Sequence, residues 1–508
     1  MSTTAGLPAP EGVRLSSAKG RWVLASSVLG SGMALLDGTS VNIALPRLGE
    51  DLGASLAALQ WTVNGYLLTL AGLILLGGSL GDRYGRRRVF LTGAVWFALA
   101  SALCGLAQSP GLLITARALQ GVGGALLTPG SLALVQSTFR PEDRAKAVGA
   151  WSGLGGVAAA IGPFLGGYLV DGPGWRWIFF INLPVAAVVV AIAMRHVPES
   201  RDRTASGRFD VPGAALAALF LAGVTYALIS ASAHASWPAV VVAAAVGLGC
   251  GVAFLRTERR RPNPMLPLSV FSSRLFTSMN VVTLCLYAAI GGVFFVLPVQ
   301  LQVAAGYSAV HAGLATLPST ALMLVLSAPA GALAQRIGPR LPLTAGPLVA
   351  AGGLLLLTWI SPGSSTYLTD VLPGVLLQGL GLSMFVAPLT ATVLASVDVD
   401  HAGVASGVNN AAARVAQLLI VAALPLAVGL SGEAYRDPDR MNSAFGKSMY
   451  ICSGLCLLAA LLAFVLVPDG ALEQEEGKPE CAHPQCHAHC GFSAPPLEPG
   501  PGHERAVS

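Results

Sequence analysis

The stretch Gly77-Gly-Ser-Leu-Gly-Asp82-Arg-Tyr-Gly85-Arg-Arg-Arg88 decides the fold. It packs one acid, four arginines and four glycines into twelve residues. About twenty apolar residues flank it on each side, enough for a helix to cross a bilayer. So short a turn returns two helices antiparallel on one side of a membrane. So basic a turn predicts that this side is the cytoplasm.

Composition agrees. Of 508 residues, 54% are hydrophobic and 11% charged, against about 25% charged in a soluble domain. The excess Leu, Ala, Val and Gly belongs against lipid, and glycines inside apolar runs suit close helix packing there. The net charge of +5 is no footprint of nucleic acid, and no nucleic-acid partner is expected. Residues 1–20 are polar without an early apolar core, so no cleavable signal peptide is predicted. Five cysteines lie in apolar spans and three in the tail, which implies no disulfide framework.

Counting outward gives apolar spans at about 22–45, 58–78, 89–108, 111–136, 147–170, 177–195, 211–231, 238–255, 276–300, 311–333, 341–360, 368–395, 403–430 and 446–467. With both termini cytoplasmic, twenty-three of the thirty Lys and Arg residues fall on the cytoplasmic side. Five fall outside, and Arg117 and Arg414 lie within spans. That asymmetry supports fourteen spans in this orientation.

The chain repeats itself. Gly78-Ser-Leu-Gly-Asp-Arg83-Tyr-Gly85-Arg-Arg87 returns as Gly331-Ala-Leu-Ala-Gln-Arg336-Ile-Gly338-Pro-Arg340, and Gln120-Gly-Val-Gly123 as Gln378-Gly-Leu-Gly381. Spans 1–6 therefore match spans 9–14, with spans 7 and 8 as an inserted pair. The expected organisation is a cytoplasmic N-terminus (1–20), a six-helix half (21–196), a two-helix linker (197–262), a second six-helix half (263–468) and a disordered cytoplasmic tail (469–508). Paired six-helix halves are a transporter plan with the substrate site between them.

These motifs resemble the major facilitator superfamily, most of all its fourteen-span drug:proton antiporters, over about residues 20–468. The first cytoplasmic loop matches the superfamily signature at Gly78, Leu80, Asp82, Arg83, Gly85, Arg86 and Arg87. Span 4 matches its buried-arginine pattern at Leu113, Arg117, Gln120, Gly121 and Gly123. Span 5 is similar to the antiporter signature at Gly149, Gly162, Pro163, Gly166 and Gly167, with Ala158 where glycine is usual. Leu36-Asp37 through Asn42 to Pro46 and Trp175 through Asn182 to Pro184 also resemble this family.

The resemblance implies an all-α membrane protein, two pseudo-symmetric six-helix bundles plus an inserted helix pair. It implies export of a hydrophobic, cationic or amphipathic drug or antibiotic in exchange for protons, by alternating access across the bacterial inner membrane. The partners expected are that substrate, protons and the lipid bilayer, with no cofactor, no metal and no enzymatic activity. A dedicated exporter of one metabolite, lipid or siderophore, or a transporter-like sensor, are the alternatives.

Asp37 is the acid that falls well inside a span. A central charge costs about 3 kcal/mol or more there, so such a carboxyl can take up and release a proton as its exposure changes. The competing reading is a packing residue bonded to Thr39, Ser40 or Asn42. Arg117 stays protonated and cannot carry protons, but it can pair with an acid; the resemblance gives it a part in proton transfer. Asn42 and Arg414 complete the expected coupling or substrate set, Arg414 sharing a helix face with Asn410 and Gln417. Trp61, Asn64 and Tyr66 on span 2, and Phe294, Gln300 and Gln302 on span 9, could line a pocket or anchor at the interface. Gly78, Asp82, Arg83, Gly85, Arg86 and Arg87 are expected to act as a conformational gate, with Asp82 bonded to a helix N-terminus or to nearby arginines. Gly149, Gly162, Pro163, Gly166 and Gly167 read as a hinge. The tail gathers Cys481, His483, Cys486, His487, His489 and Cys490, soft-metal ligand types in a segment with little around it to close a site.

Overall fold

The computed structural model describes residues 12–201, 210–261, 264, 266–363, 365–397 and 402–470. The tail cluster from Cys481 to Cys490 lies outside them. Among the described residues are fourteen helices long and apolar enough to cross a membrane. They are α1 (Ala18–Leu52), α2 (Leu56–Tyr84), α3 (Arg86–Gly105), α4 (Pro110–Thr138), α5 (Pro141–Asp171), α6 (Trp177–His196) and α7 (Val211–Ser232). The rest are α8 (Trp237–Arg260), α9 (Arg274–Ala304), α10 (Ala309–Ile337), α11 (Arg340–Trp359), α12 (Tyr367–Ala395), α13 (Gly403–Val428) and α14 (Pro438–Leu466).

All fourteen expected spans are present, yet most helices are longer. Span 14 is expected at 446–467 and begins at Pro438; span 8 is expected to stop at 255 and continues to Arg260. Arg256–Arg260 are thus helical rather than part of a link. The apolar run marks only what lipid covers. The helix ends where its backbone donors find a cap. Ser17 Oγ accepts the N–H of Gly20, Ser109 Oγ that of Leu112, and Ser308 Oγ that of His311. Asp437 caps α14 by accepting from Asp439 and Arg440. At the turns, Gly85 and Gly338 take φ of +112° and +84°, a region that favours glycine. They are the same position of the repeat.

The halves are built alike. In the first, α4 packs against α2 and α3, and α1 against α5 and α6; in the second, α12 packs against α10 and α11, and α9 against α13 and α14. Glycines set the closest approaches. A Cβ on Gly121 would strike Tyr66 and Thr69 of α2, and one on Gly123 the backbone of Phe97 in α3. Their repeat partners Gly379 and Gly381 press on Ser319 of α10 and Ala350 of α11. In lipid, where apolar burial between helices gains little, such contact is what holds helices together.

Two seams join the halves, α2 with α13 and α5 with α10, and the repeat interchanges them. The inserted hairpin α7–α8 lays α7 over α2 and α13, covering one seam. Its outer helix α8 leaves Val242, Val246 and Leu248 exposed, a lipid-facing side.

Fourteen crossings put the start of α1 and the end of α14 on one face, the terminal face. The opposite, far face is laced shut. Asp171 of α5 accepts the N–H groups of Ala309 and Val310 at the start of α10 (3.2 and 2.8 Å). Gln60 of α2 donates to the carbonyls of Val421 and Ala422 in α13 (2.7 and 3.2 Å). Gln302, on a widened turn ending α9, donates to the carbonyl of Ile43 (2.9 Å). From the α13–α14 link, Tyr435 Oη donates to the Ala54 carbonyl (2.9 Å) and Arg436 Nη2 to that of Gly49 (2.8 Å).

Candidate functional site

Asp37 sits at the middle of α1, fully buried. Arg117, 1% exposed, reaches it from α4 with Nη1 2.5 Å from Oδ2. Gln120 follows Arg117 by one helical turn on the same face. Its Nε2 donates to Asp37 Oδ1 (2.9 Å) and its Oε1 accepts from Arg117 Nη1 (2.6 Å). Asn182 of α6 donates to Asp37 Oδ1 (3.3 Å) and to Ser101 Oγ of α3 (3.0 Å). Ser101 in turn donates to the Phe179 carbonyl (2.8 Å). Arg117 Nε donates to the Thr62 carbonyl (3.2 Å), and its guanidinium lies 4.4 Å from the Tyr66 ring centre.

Five helices of one half thus converge on a single carboxylate. A buried charge is tolerable only when paired and hydrogen-bonded, and here both conditions hold. The alternative reading of Asp37 as a partner of Thr39, Ser40 or Asn42 is not what the structure shows. Thr39 bonds back to the carbonyls of Leu35 and Leu36, Ser40 to that of Gly162, and Asn42 to that of Gly38.

The Trp175–Pro184 stretch roofs this network. Trp175 is buried and donates to Asp51 (3.0 Å), and its ring meets Phe179 edge-on. Phe179 lies over Arg117 on the other side at 5.8 Å. Among the described residues the second half has no equivalent, because buried Val375 stands where the repeat would put Arg117.

Arg414 lies on α13, in the other half. It donates to Gln417 (3.1 Å). Asn410, expected to join Arg414 on a stripe, is exposed and bonds its own helix; Asn409 instead reaches Thr283 on α9 (2.7 Å). Asn42 makes no contact with Asp37 among its hydrogen bonds: five residues on, it leaves the helix by a different face. Of the proposed pocket residues, Gln300 is held by Asn442 (2.7 Å), and Trp61 meets Tyr226 of the inserted hairpin at 6.3 Å. Asn64 is fully buried with neither side-chain atom hydrogen-bonded.

The glycines of α5 face two ways. A Cβ on Gly162 would overlap Thr39 Oγ1, and one on Gly166 would press on Ser40, both in α1. One on Gly167 would overlap the Ala309 carbonyl of α10, while the Pro163 carbonyl packs where Gly313 of α10 has no side chain. This signature lets α5 lie against its own half and the other at once. Gly149 faces open space.

In the Gly77–Arg88 turn, Asp82 pairs within the loop, with Arg86 Nε and Nη2 at 2.9 and 2.8 Å. The outside anchor is a residue that sequence reasoning passed over. Glu199, after α6, accepts the backbone N–H of Arg87 (3.1 Å), lies over Gly85 where a Cβ would strike it, and sits 3.8 Å from Arg87 Nε. Arg87 also donates to the Val197 carbonyl (3.1 Å), and Arg86 N–H to that of Ser200 (2.8 Å). Gly78 approaches Pro129 of α4.

Two six-helix halves, two seams related by the repeat, one laced face and a buried ion pair are the architecture of a membrane transporter. Residues 27–421 match the family model of the Major Facilitator Superfamily, and the chain belongs to that family. It is 36% identical over 458 residues to the puromycin resistance protein pur8 of Streptomyces alboniger, covering 88% of this chain and 91% of that one. It is 36% identical over 425 residues to the tetracenomycin C resistance and export protein of Streptomyces glaucescens, covering 82% and 78%. Its fold matches the inward-open xylose transporter XylE from E. coli with a TM-score of 0.60 at 16% identity, covering 88% and 96%. The chain is a multi-pass membrane protein.

Proposed function

We propose that this protein exports a hydrophobic or amphipathic, drug-like molecule across a bacterial inner membrane in exchange for protons, with the terminal face in the cytoplasm. The observation that carries the reading is the Asp37–Arg117 pair, an ionisable couple buried in one half and matched by nothing in the other. Names of the relatives, resistance and export proteins for antibiotics, supply the substrate class and the direction.

The bonds of the far face describe a state closed to the outside. In it, Asp37 is held by Arg117, Gln120 and Asn182. When the protein faces outward, a proton taken up by Asp37 removes the charge that Arg117 needs. On return to the inward state Arg117, Gln120 and Asn182 take hold of the carboxylate again, and the proton leaves on that side. Substrate leaving outward and proton entering inward are thereby tied to one switch. Arg414 on α13 and Tyr66 on α2, one from each half, are the groups we assign to substrate or proton passage. Asp82–Arg86 and the Glu199 anchor would steady the cytoplasmic ends of α2 and α3, and the α5 glycines would let that helix slide against α1 and α10.

Everted vesicles carrying Asp37→Asn test the proposal. Loss of pH-driven efflux by variant protein that is still inserted in the membrane is the expected result; full proton-coupled efflux by this variant would overturn it. A susceptibility panel with and without the gene then separates broad export from export of one compound.

A further inference from the structure

The inserted hairpin α7–α8 carries an acidic pair that the transport cycle above does not use. Asp210 is the N-cap of α7, and its side chain is 2% exposed. Glu258, one turn from the end of α8, is 3% exposed. One oxygen of each is accounted for. Asp210 Oδ1 accepts from the Gly213 N–H (2.8 Å) and from Arg261 Nη1 (2.9 Å), and Glu258 Oε2 from the Leu266 N–H (2.9 Å). The other two, Asp210 Oδ2 and Glu258 Oε1, are buried with no hydrogen-bond partner. Both converge on one point, since a Cβ built on Gly213 would collide with each.

Two buried carboxylate oxygens cannot converge as anions without a shared positive particle. Among the described residues, Asp210 and Arg261 are the ionisable groups that act on Glu258. Arg261 is spent on the far oxygen of Asp210, and among the described residues the facing pair has no donor. A metal ion would want six or so oxygen ligands; two are free, beside a guanidinium that repels it. A proton needs only the two. A surface cleft lined by Glu258, Arg259, Arg261, Pro267 and Ser269 adjoins the site and gives the proton a way in.

We propose that Asp210 and Glu258 together bind one proton at neutral pH, giving the inserted hairpin a proton site of its own, separate from Asp37. Glu258 carries the proton on Oε1 and donates it to Asp210 Oδ2. The bound proton ties the first turn of α7 to the last turn of α8. Because α7 lies over α2 and α13, the site steadies the hairpin on the seam between the halves.

The test uses the full chain in lipid nanodiscs and reads no transport, so its outcome is independent of the role of Asp37. Folding brings the two carboxyls together and unfolding separates them, so a proton is bound on folding. Stability is then present at low pH and lost as the site deprotonates. The wild-type melting temperature should fall as pH rises from about 6 to about 9. Glu258→Gln keeps a donor facing Asp210 and should remove that fall. Infrared spectra at neutral pH should show a protonated-carboxyl band that Glu258→Gln or Asp210→Asn abolishes. The same pH dependence and the same band in all three proteins would overturn the proposal. So would restoration of the high-pH melting temperature by calcium or magnesium, which would make the site a cation site.

Discussion

Asp37 of α1 and Arg117 of α4 meet with Oδ2 2.5 Å from Nη1, and neither touches solvent. Removing one partner of such a pair strands the other, which in buried sites costs about 3 to 5 kcal/mol. Asp37→Asn and Arg117→Gln should therefore each lower thermal stability strongly. The double substitution should cost clearly less than both single costs together, because neither stranded charge remains. A double-mutant cycle on melting temperatures measures this; additive losses would show that the pair contributes no coupling.

How much of this was legible in the sequence follows from what each feature depends on. Helix number and pairing were legible because bilayer thickness and charge act on local stretches, as in the Gly77–Arg88 turn. Asp37 and Arg117 were legible because an ionised group in an apolar run has no cheap alternative to function or pairing. Their partners were less so. Ser101 and Asn182 are ordinary polar residues until tertiary packing brings α3 and α6 to the same point. Glu199 sits in a cytoplasmic link where an acid is unremarkable, and only the fold shows it over Gly85. Tyr435 and Arg436 lie in a short link with no periodicity to mark them, and Asn42 does not bond Asp37 because nearness in sequence is not nearness around a helix.

Glu199 caps α3 from outside. Gly85, the residue before α3, offers no side-chain cap, and Glu199 takes the Arg87 N–H in its place. A lost cap costs about 1 kcal/mol, whereas the half-exposed ion pairs of Glu199 with Arg87 and Arg88 add little. Glu199→Ala should loosen the α2–α3 turn by about that amount. Faster hydrogen exchange at residues 86–89 checks it, and unchanged protection there would contradict the capping role.

Gly167 and Gly149 belong to one signature but should respond in opposite ways. A Cβ at Gly167 overlaps the Ala309 carbonyl, so Gly167→Ala should separate α5 from α10 on the far face. Loss of most transport with the protein still inserted is expected. Gly149 has no atom near its missing Cβ, so Gly149→Ala should retain nearly full activity and gain slightly in helix propensity. Side-by-side efflux assays decide this; equal loss at both positions would mean that α5 acts through flexibility rather than fit.

The far-face clamp gives the last test. Tyr435 Oη donates to the Ala54 carbonyl and occupies the space over Gly49, so a Cβ there would collide with it. Tyr435→Phe removes one buried hydrogen bond, about 1 kcal/mol, and should shift the balance about fivefold toward the outward-open state. Gly49→Ala should shift it further, by pushing the ring away. Adding Tyr435→Phe to Gly49→Ala removes the colliding oxygen and should recover part of that shift. Burial pushes the Tyr435 hydroxyl above its ordinary value. It therefore stays a donor, and the clamp keeps its full strength below about pH 10, weakening only above that. Spin-label distances between the α1–α2 and α13–α14 links, taken at neutral and alkaline pH, report both effects. A clamp that opened on passing from about pH 6 to about pH 9 would show that another group controls it.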